Sequence, residues 1–261
     1  YRGTYLISEK NSVGKTSVDI TDMEEAYEAI NEGYGDGMTT ATATNRFGAR
    51  YQYTEGLTEP EDITGGYLLE LNNTQYDEAS GFITSNGVAF NVKSPEWCGQ
   101  AAMTYISEYY QEFENAVYAQ DADGNYTGYN EETGKYYYEY CDLESLVRVY
   151  LLQELANNVD GFYSSFFFYK DANGIMYAGP VWDMETTCGT GWAGVISPET
   201  EFINNRYLAT ALSKIPGFMD AVVKYYHETF RDLAEALVGV DGTLAQNAAL
   251  LADSTAMNYT L

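Results

Sequence analysis

Residues 151–189 read LLQELANNVDGFYSSFFFYKDANGIMYAGPVWDMETTCG, and their pattern decides the fold. A Leu-rich helical segment ends at Asn157-Asn158, and Asp160 follows at once. The apolar run Phe166 to Tyr169 reads as a buried strand, Asn173-Gly174 as the two-residue turn of a tight hairpin, and Ile175 to Tyr177 as the return strand. Gly179-Pro180 then leads to Val181-Trp182-Asp183. One carboxylate stands where the hairpin is entered and another where it is left. Two acids facing one cleft repel unless a cation holds them, and Mg²⁺ with phosphate suits that pair.

The chain on either side supplies the rest of a domain. Residues 1–20 alternate as two short strands, Thr4–Ser8 and Ser17–Ile20. Val13-Gly14-Lys15-Thr16-Ser17 imitates the end of a phosphate loop, but Glu9 stands where that motif needs glycine and no helix follows. Asp22 caps a short helix, Met23 to Asn31. Glycines 33, 35 and 37 open a polar connection reaching about Asp62. Gly65–Leu71 reads as a strand, residues 72–80 as a loop, and Phe82 to Val92 as a hairpin turning at Asn86-Gly87 and ending at Lys93. A helix from about Trp97 to Tyr118 puts Met103, Ile106, Tyr110, Phe113 and Val117 on one face. Glu114 flanks that face, while Glu108 and Glu112 point away. Asp121, Asp123 and Asn125 have a calcium-loop rhythm, but Tyr126 occupies the glycine position, so an exposed turn is expected. Asp142 caps the helix that delivers the chain to Asp160. Helices at Asn205–Lys214, Pro216–Leu237 and Gly242–Asn258 complete the chain, the second with a core face of Phe218, Val222, Tyr225, Tyr226 and Leu233.

Composition narrows the function. The 261 residues carry a net charge of −26, which opposes nucleic-acid binding. No apolar run is long enough to span a bilayer. Cys98, Cys141 and Cys188 form no CxxC pair, and His227 is the only histidine, so zinc and serine-triad chemistry are disfavoured. The acidic, tyrosine-rich and lysine-poor composition suits an extracellular or cell-surface setting. Both ends break into regular patterns, so a fragment of a longer polypeptide with further domains is expected.

The order of parts is a strand ending in Lys93, a long helix with Glu114, a second helix, Asp160, a hairpin, and Asp183. Protein kinases share that order: a lysine for the phosphates, a helix glutamate holding it, a catalytic aspartate and a metal-binding aspartate. Beyond that order, YRGTYLISEK, GGYLLEL, NVKSPE, QELANNVDGFYSS and GPVWDMETTCG resemble the motifs of the spore coat protein H (CotH) kinase family over nearly the whole chain. The resemblance implies an α+β, divergent two-lobed protein-kinase-like fold. Its strand-rich N-terminal part would be residues 1–118, and its mainly helical C-terminal part, 119–261, would carry the catalytic hairpin. It implies an enzyme that uses ATP and Mg²⁺ to phosphorylate secreted or surface proteins on serine or threonine. Asp160 is then catalytic, Lys93, Glu114 and Asp183 bind the nucleotide, and Asp183, Ser165 and Glu185 face the metal.

The chain departs from the kinase pattern in three places. Ser165 replaces the metal-binding asparagine five residues after the catalytic aspartate, with Asn157 or Asn158 as possible substitutes. Glu185 stands where the family often has aspartate. The loop 72–80 has no glycine. These departures favour an alternative, a kinase-like binding or scaffold module without catalysis. Paired acids also serve glycoside hydrolases, where flanking tryptophans rather than a lysine would be expected.

Overall fold

The computed structural model describes residues 10–73, 75–189, 203 and 206–260. The strand expected at Thr4–Ser8 lies outside them. The fold is α+β, with an antiparallel, strand-rich N-terminal sheet and a helical C-terminal region. Its strands are β1 (Thr40–Thr44), β2 (Arg50–Thr54), β3 (Tyr67–Asn72), β4 (Gly81–Ile83), β5 (Ala89–Ser94), β6 (Tyr129–Asn130), β7 (Lys135–Tyr136), β8 (Ser164–Lys170) and β9 (Met176–Ala178). Seven form one sheet in the order β1-β2-β4-β5-β3-β8-β9, and β6 pairs with β7 alone. The helices are α1 (Met23–Ile30), α2 (Gln100–Tyr118), α3 (Leu143–Ala156), α4 (Tyr207–Leu212), α5 (Phe218–Tyr225), α6 (Arg231–Val238) and α7 (Thr243–Thr260). None of the described helices is long and apolar enough to cross a membrane.

Local chemistry sets these boundaries. Asp22 accepts from the Glu25 amide at 3.0 Å and starts α1; Asp142 accepts from the Ser145 amide at 2.7 Å and starts α3. Asn157 ends α3 in the left-handed region at φ 52°. The polar stretch after Gly37 is not one long connection, because it contains the β1–β2 hairpin. Asn45 holds that turn through Oδ1, which accepts from the Phe47 and Ala49 amides at 3.0 and 3.1 Å. Ser17–Ile20 is no strand either. Its backbone curls back, and Val18 meets Val13 in a single bridge.

One face of the sheet holds the main core. Tyr110 of α2 lies 4.3 Å from Phe90 and 5.6 Å from Phe168, ring to ring. Met103, Ile106, Tyr110, Phe113 and Val117 are all fully buried, as the spacing requires. On the other face a smaller cluster forms from Val18, Leu68 and Phe167, with Val13, Ile20, Tyr169 and Trp182 against it. The hairpin that carries Asp160 and Asp183 at its two ends joins the N-terminal sheet. β8 pairs with β3 from Tyr67↔Lys170 to Asn72↔Ser164 and extends the N-terminal sheet. The helix expected over Pro216–Leu237 is interrupted by a π turn at Tyr226–Phe230, where His227 is exposed. Phe218 and Val222 are core, but Leu233 is 60% exposed, because α6 packs chiefly on the neighbouring turn and α7.

Candidate active site

Asp160 sits in a turn between α3 and β8. Its carbonyl accepts from the Tyr163 and Ser164 amides at 2.9 and 3.0 Å, and its own amide donates to Asn158 Oδ1 at 3.1 Å. Asn158 is 2% exposed and donates through Nδ2 to Gln153 Oε1 at 2.6 Å. Gly161 is closely packed here: a Cβ would come 2.6 Å from Ile203 Cδ1, 3.0 Å from Gln153 Oε1 and 3.2 Å from the Asn158 carbonyl oxygen, so a side chain fits only if the Ile203 tip shifts. The Thr186 hydroxyl lies 2.9 Å from Asp160 Oδ2 and 3.1 Å from Asn158 Oδ1. With one proton to donate, it is shared between the two acceptors.

Asp183 leaves the hairpin in the left-handed region at φ 59°, an unfavourable backbone state that aspartate tolerates better than most residues. Its Oδ2 accepts from Ser165 Oγ at 3.1 Å. Ser165 is itself left-handed at φ 50°, where a bulge between Leu71 and Asn72 shifts the β3–β8 register. Glu185 completes the group. Hydrogen bonding to Asp183, together with the nearby charges of Asp183 and Asp160, raises its pKa above the ordinary carboxylate value. Asp160, Asp183, Ser165 and Glu185 are therefore brought together. Asn158 spends its carbonyl on Asp160 and Thr186, so it does not replace the missing asparagine. Asn157 Oδ1 is buried without a hydrogen-bond partner.

Lys93 and Glu114 are not brought together. Glu114 is inward and fully buried, but on the α2 side of the sheet. The Tyr207 hydroxyl donates to it, as does Gln111 Nε2 at 2.8 Å. Burial raises its pKa against the opposing effect of those bonds and of Thr84 and Asn86. Lys93 emerges on the opposite face, following the alternation of β5 in which Phe90 and Val92 enter the core. There it forms an ion pair with Glu78 and lies 3.9 Å from Glu70 Oε2. Burial alone would depress its pKa, but the Glu78 bond and the charges of Glu78, Glu70 and Asp77 raise it. Glu70 also accepts from Asn91 Nδ2 at 3.2 Å. The carboxylates that hold Lys93 thus come from β3 and the loop 72–80, not from the helix.

Asp183 and Glu185 line a cleft of about 720 Å³ whose other wall is residues 16–18. Lys93 lines a second cleft of about 740 Å³, shared with Lys10 and with Glu24, Glu78 and Glu96. Among the described residues no three His, Cys, Asp or Glu side chains form a group that could hold a metal ion unaided. Magnesium needs no such cage, since it retains water and uses one or two carboxylates plus substrate phosphate. The hard oxygens of Asp183, Glu185 and Ser165 fit that mode, and the crowding of Glu185 against Asp183 is what a cation would relieve.

A family model described as CotH kinase protein matches residues 56–238. The chain belongs to the CotH kinase family. No curated protein and no solved structure matches it. In this CotH kinase family protein the match spans Lys93, Asp160, Ser165, Asp183 and Glu185 and begins after the segment that closes the Asp183 cleft. Sequence reasoning missed two members of the site. Thr186 was marked only by its three-residue spacing from Asp183, and Glu70 only by its parity in β3 relative to the core residues Leu69 and Leu71.

Proposed function

We propose that this protein is a protein kinase that transfers the γ-phosphate of ATP to serine or threonine hydroxyls of secreted or surface proteins, with Mg²⁺. The observation that carries this reading is the Thr186 link. A residue three places after Asp183 bonds the Asp160 carboxylate, and Glu185 feels the charges of both acids, which supports a shared site although the hairpin separates them in sequence. Asp160 then orients the acceptor hydroxyl and takes its proton as the oxygen–phosphorus bond forms and ADP leaves. Asn158 and Thr186 hold Asp160 in place, and Ser165 holds Asp183. Lys93 offsets phosphate charge, steadied by Glu70 and Glu78. Bound Mg²⁺ would neutralise charge on the phosphates, with Asp183 as its main protein ligand and Glu185 and Ser165 beside it. The family match and the net charge of −26 support a protein rather than nucleic-acid acceptor, and the acidic, lysine-poor composition supports an extracellular or cell-surface setting.

One observation favours the second reading, a binding module without catalysis. Acidic side chains outnumber the two lysines that line the Lys93 cleft, which weakens its attraction for a triphosphate. Incubation with Mg·ATP and a serine/threonine peptide library, read by mass spectrometry, separates the two. Phosphopeptides formed by the wild type and lost in Asp160→Asn and Asp183→Asn variants of unchanged melting temperature support the kinase. A wild type that neither forms phosphopeptides nor gains thermal stability with Mg·ATP refutes it.

A further inference from the structure

Asn91 takes no part in the roles above, yet its whole side-chain amide is engaged beside Lys93. It stands two residues before Lys93 on β5, so both side chains leave the strand on the face opposite Phe90 and Val92. Its cross-strand neighbours are Glu70 on β3 and Gly81 on β4. At Gly81 a Cβ would come 2.7 Å from the Phe90 carbonyl oxygen and from Tyr76 Cβ, so the missing side chain lets Tyr76 and Asp77 approach the sheet. Beneath them Asn91 is 2% exposed, although it faces away from the main core. Its Nδ2 donates to Asp77 Oδ1 at 2.8 Å and to Glu70 Oε2 at 3.2 Å, and its Oδ1 accepts from the Asp77 amide at 3.0 Å. Carboxylates accept and a backbone N–H donates, so these partners admit one orientation of the amide. Asn72 Nδ2 adds a second bond to Asp77 Oδ1 at 3.2 Å.

Asn91 thus holds at once the two sources of carboxylate that meet Lys93: Glu70 on the neighbouring strand, and Glu78, which adjoins Asp77. Lysine carries its charge on a flexible four-carbon stem, so its partners decide where the ammonium rests. We propose that Asn91 is a positioning residue for nucleotide binding, fixing Glu70 and the Asp77-Glu78 pair so that they hold the Lys93 ammonium in the cleft it lines. Asparagine suits the task because one amide group can donate to two acids and accept from a backbone N–H; aspartate would repel both acids, and leucine would bind neither. This inference rests on the nucleotide reading above, in which Lys93 offsets phosphate charge.

The experiment compares the full-length wild type with Asn91→Leu and Asn91→Ala. Neither substitution changes the formal charge, so an altered Lys93 reports its position and not a new field. Two quantities are read: the rate of Lys93 acetylation by trace acetic anhydride, followed by mass spectrometry relative to exposed Lys224 on α5, and the Mg·ATP dissociation constant by calorimetry. The expected result is severalfold faster acetylation of Lys93 and a dissociation constant raised about fivefold, the worth of roughly one hydrogen bond. A merely structural asparagine would lower the melting temperature and move neither quantity. Should one variant fail to fold, the other decides. Tight binding by the wild type with an unchanged dissociation constant or an unchanged Lys93 rate in a folded variant overturns the role of Asn91 and leaves the nucleotide site standing. No binding by the wild type overturns the nucleotide reading and this inference together.

Discussion

Lys170 offers the sharpest test of how the hairpin carrying the two acids is held. It is 1% exposed, at the end of β8 far from Asp160. Its ammonium donates to the Thr64 carbonyl and, at 3.3 Å, to that of Asp171. It also lies 4.8 Å from the Tyr109 ring centre and 5.5 Å from that of Tyr105. Burial outweighs the charges of Asp62 and Asp171 and brings its pKa from 10.5 down to about 8. The unfolded chain therefore binds more protons than the folded one between those values, and this group's contribution to stability rises with pH. From about pH 7 to about pH 9.5 the gain is roughly 2 kcal/mol. Cys98 and Cys141 act the other way. Burial raises both thiols above their ordinary value of 9.0, so the unfolded state ionises first and stability falls by about 0.8 kcal/mol per thiol over the same range. Burial raises the pKa of many tyrosines as well, among them Tyr27, Tyr67 and Tyr110, and they act in the same direction as the thiols. Both proteins share all these groups, so the test is the difference, in which the wild type should gain roughly 2 kcal/mol on Lys170→Met over this range. Urea denaturation followed by circular dichroism at the two pH values measures it. Parallel pH profiles for the two proteins would refute a charged, desolvated Lys170.

Three further outcomes follow from the site. Glu114→Gln should leave the Mg·ATP dissociation constant unchanged, whereas Lys93→Met and Glu70→Gln should each raise it severalfold; titration calorimetry distinguishes helix from strand as the source of the supporting carboxylate. Glu185 binds a proton more tightly folded than unfolded, so its contribution to stability is present below about pH 4.5 and is lost as pH rises through its raised value. Metal binding should therefore strengthen over that rise and release a proton, seen as buffer-dependent heat that Glu185→Gln abolishes. Gly161→Ala forces a methyl against the Ile203 and Gln153 side-chain ends and should cost about 1 kcal/mol by urea titration.

Much of this arrangement was legible in the chain. Apolar spacing identified the buried face of α2, Asp142 and Asn157 marked the ends of α3, and the Phe-rich run before Asn173-Gly174 located the hairpin. The β1–β2 hairpin escaped notice because TATAT and RYQYT mix small and polar residues, as suits an edge of the sheet. Helical periodicity correctly turned Glu114 inward but could not say which face of the sheet α2 covers. Strand parity put Lys93 on the other face, and no local rule connects the two. The bulge at Ser165 and the pairing of β8 with β3 are likewise long-range facts. Both depend on contacts between residues about a hundred positions apart, which short-range patterns do not encode.

That shared strand limits how the protein can move. The acid-bearing hairpin is stitched to β3 along its length, so swinging one half of the molecule against the other would tear a run of backbone hydrogen bonds. A hinged jaw is thus closed to this architecture. On the proposed kinase reading, nucleotide entry and departure are governed instead by the short segments laid over the sheet's open face, and mutations that stiffen those coverings should slow turnover without altering the scaffold beneath.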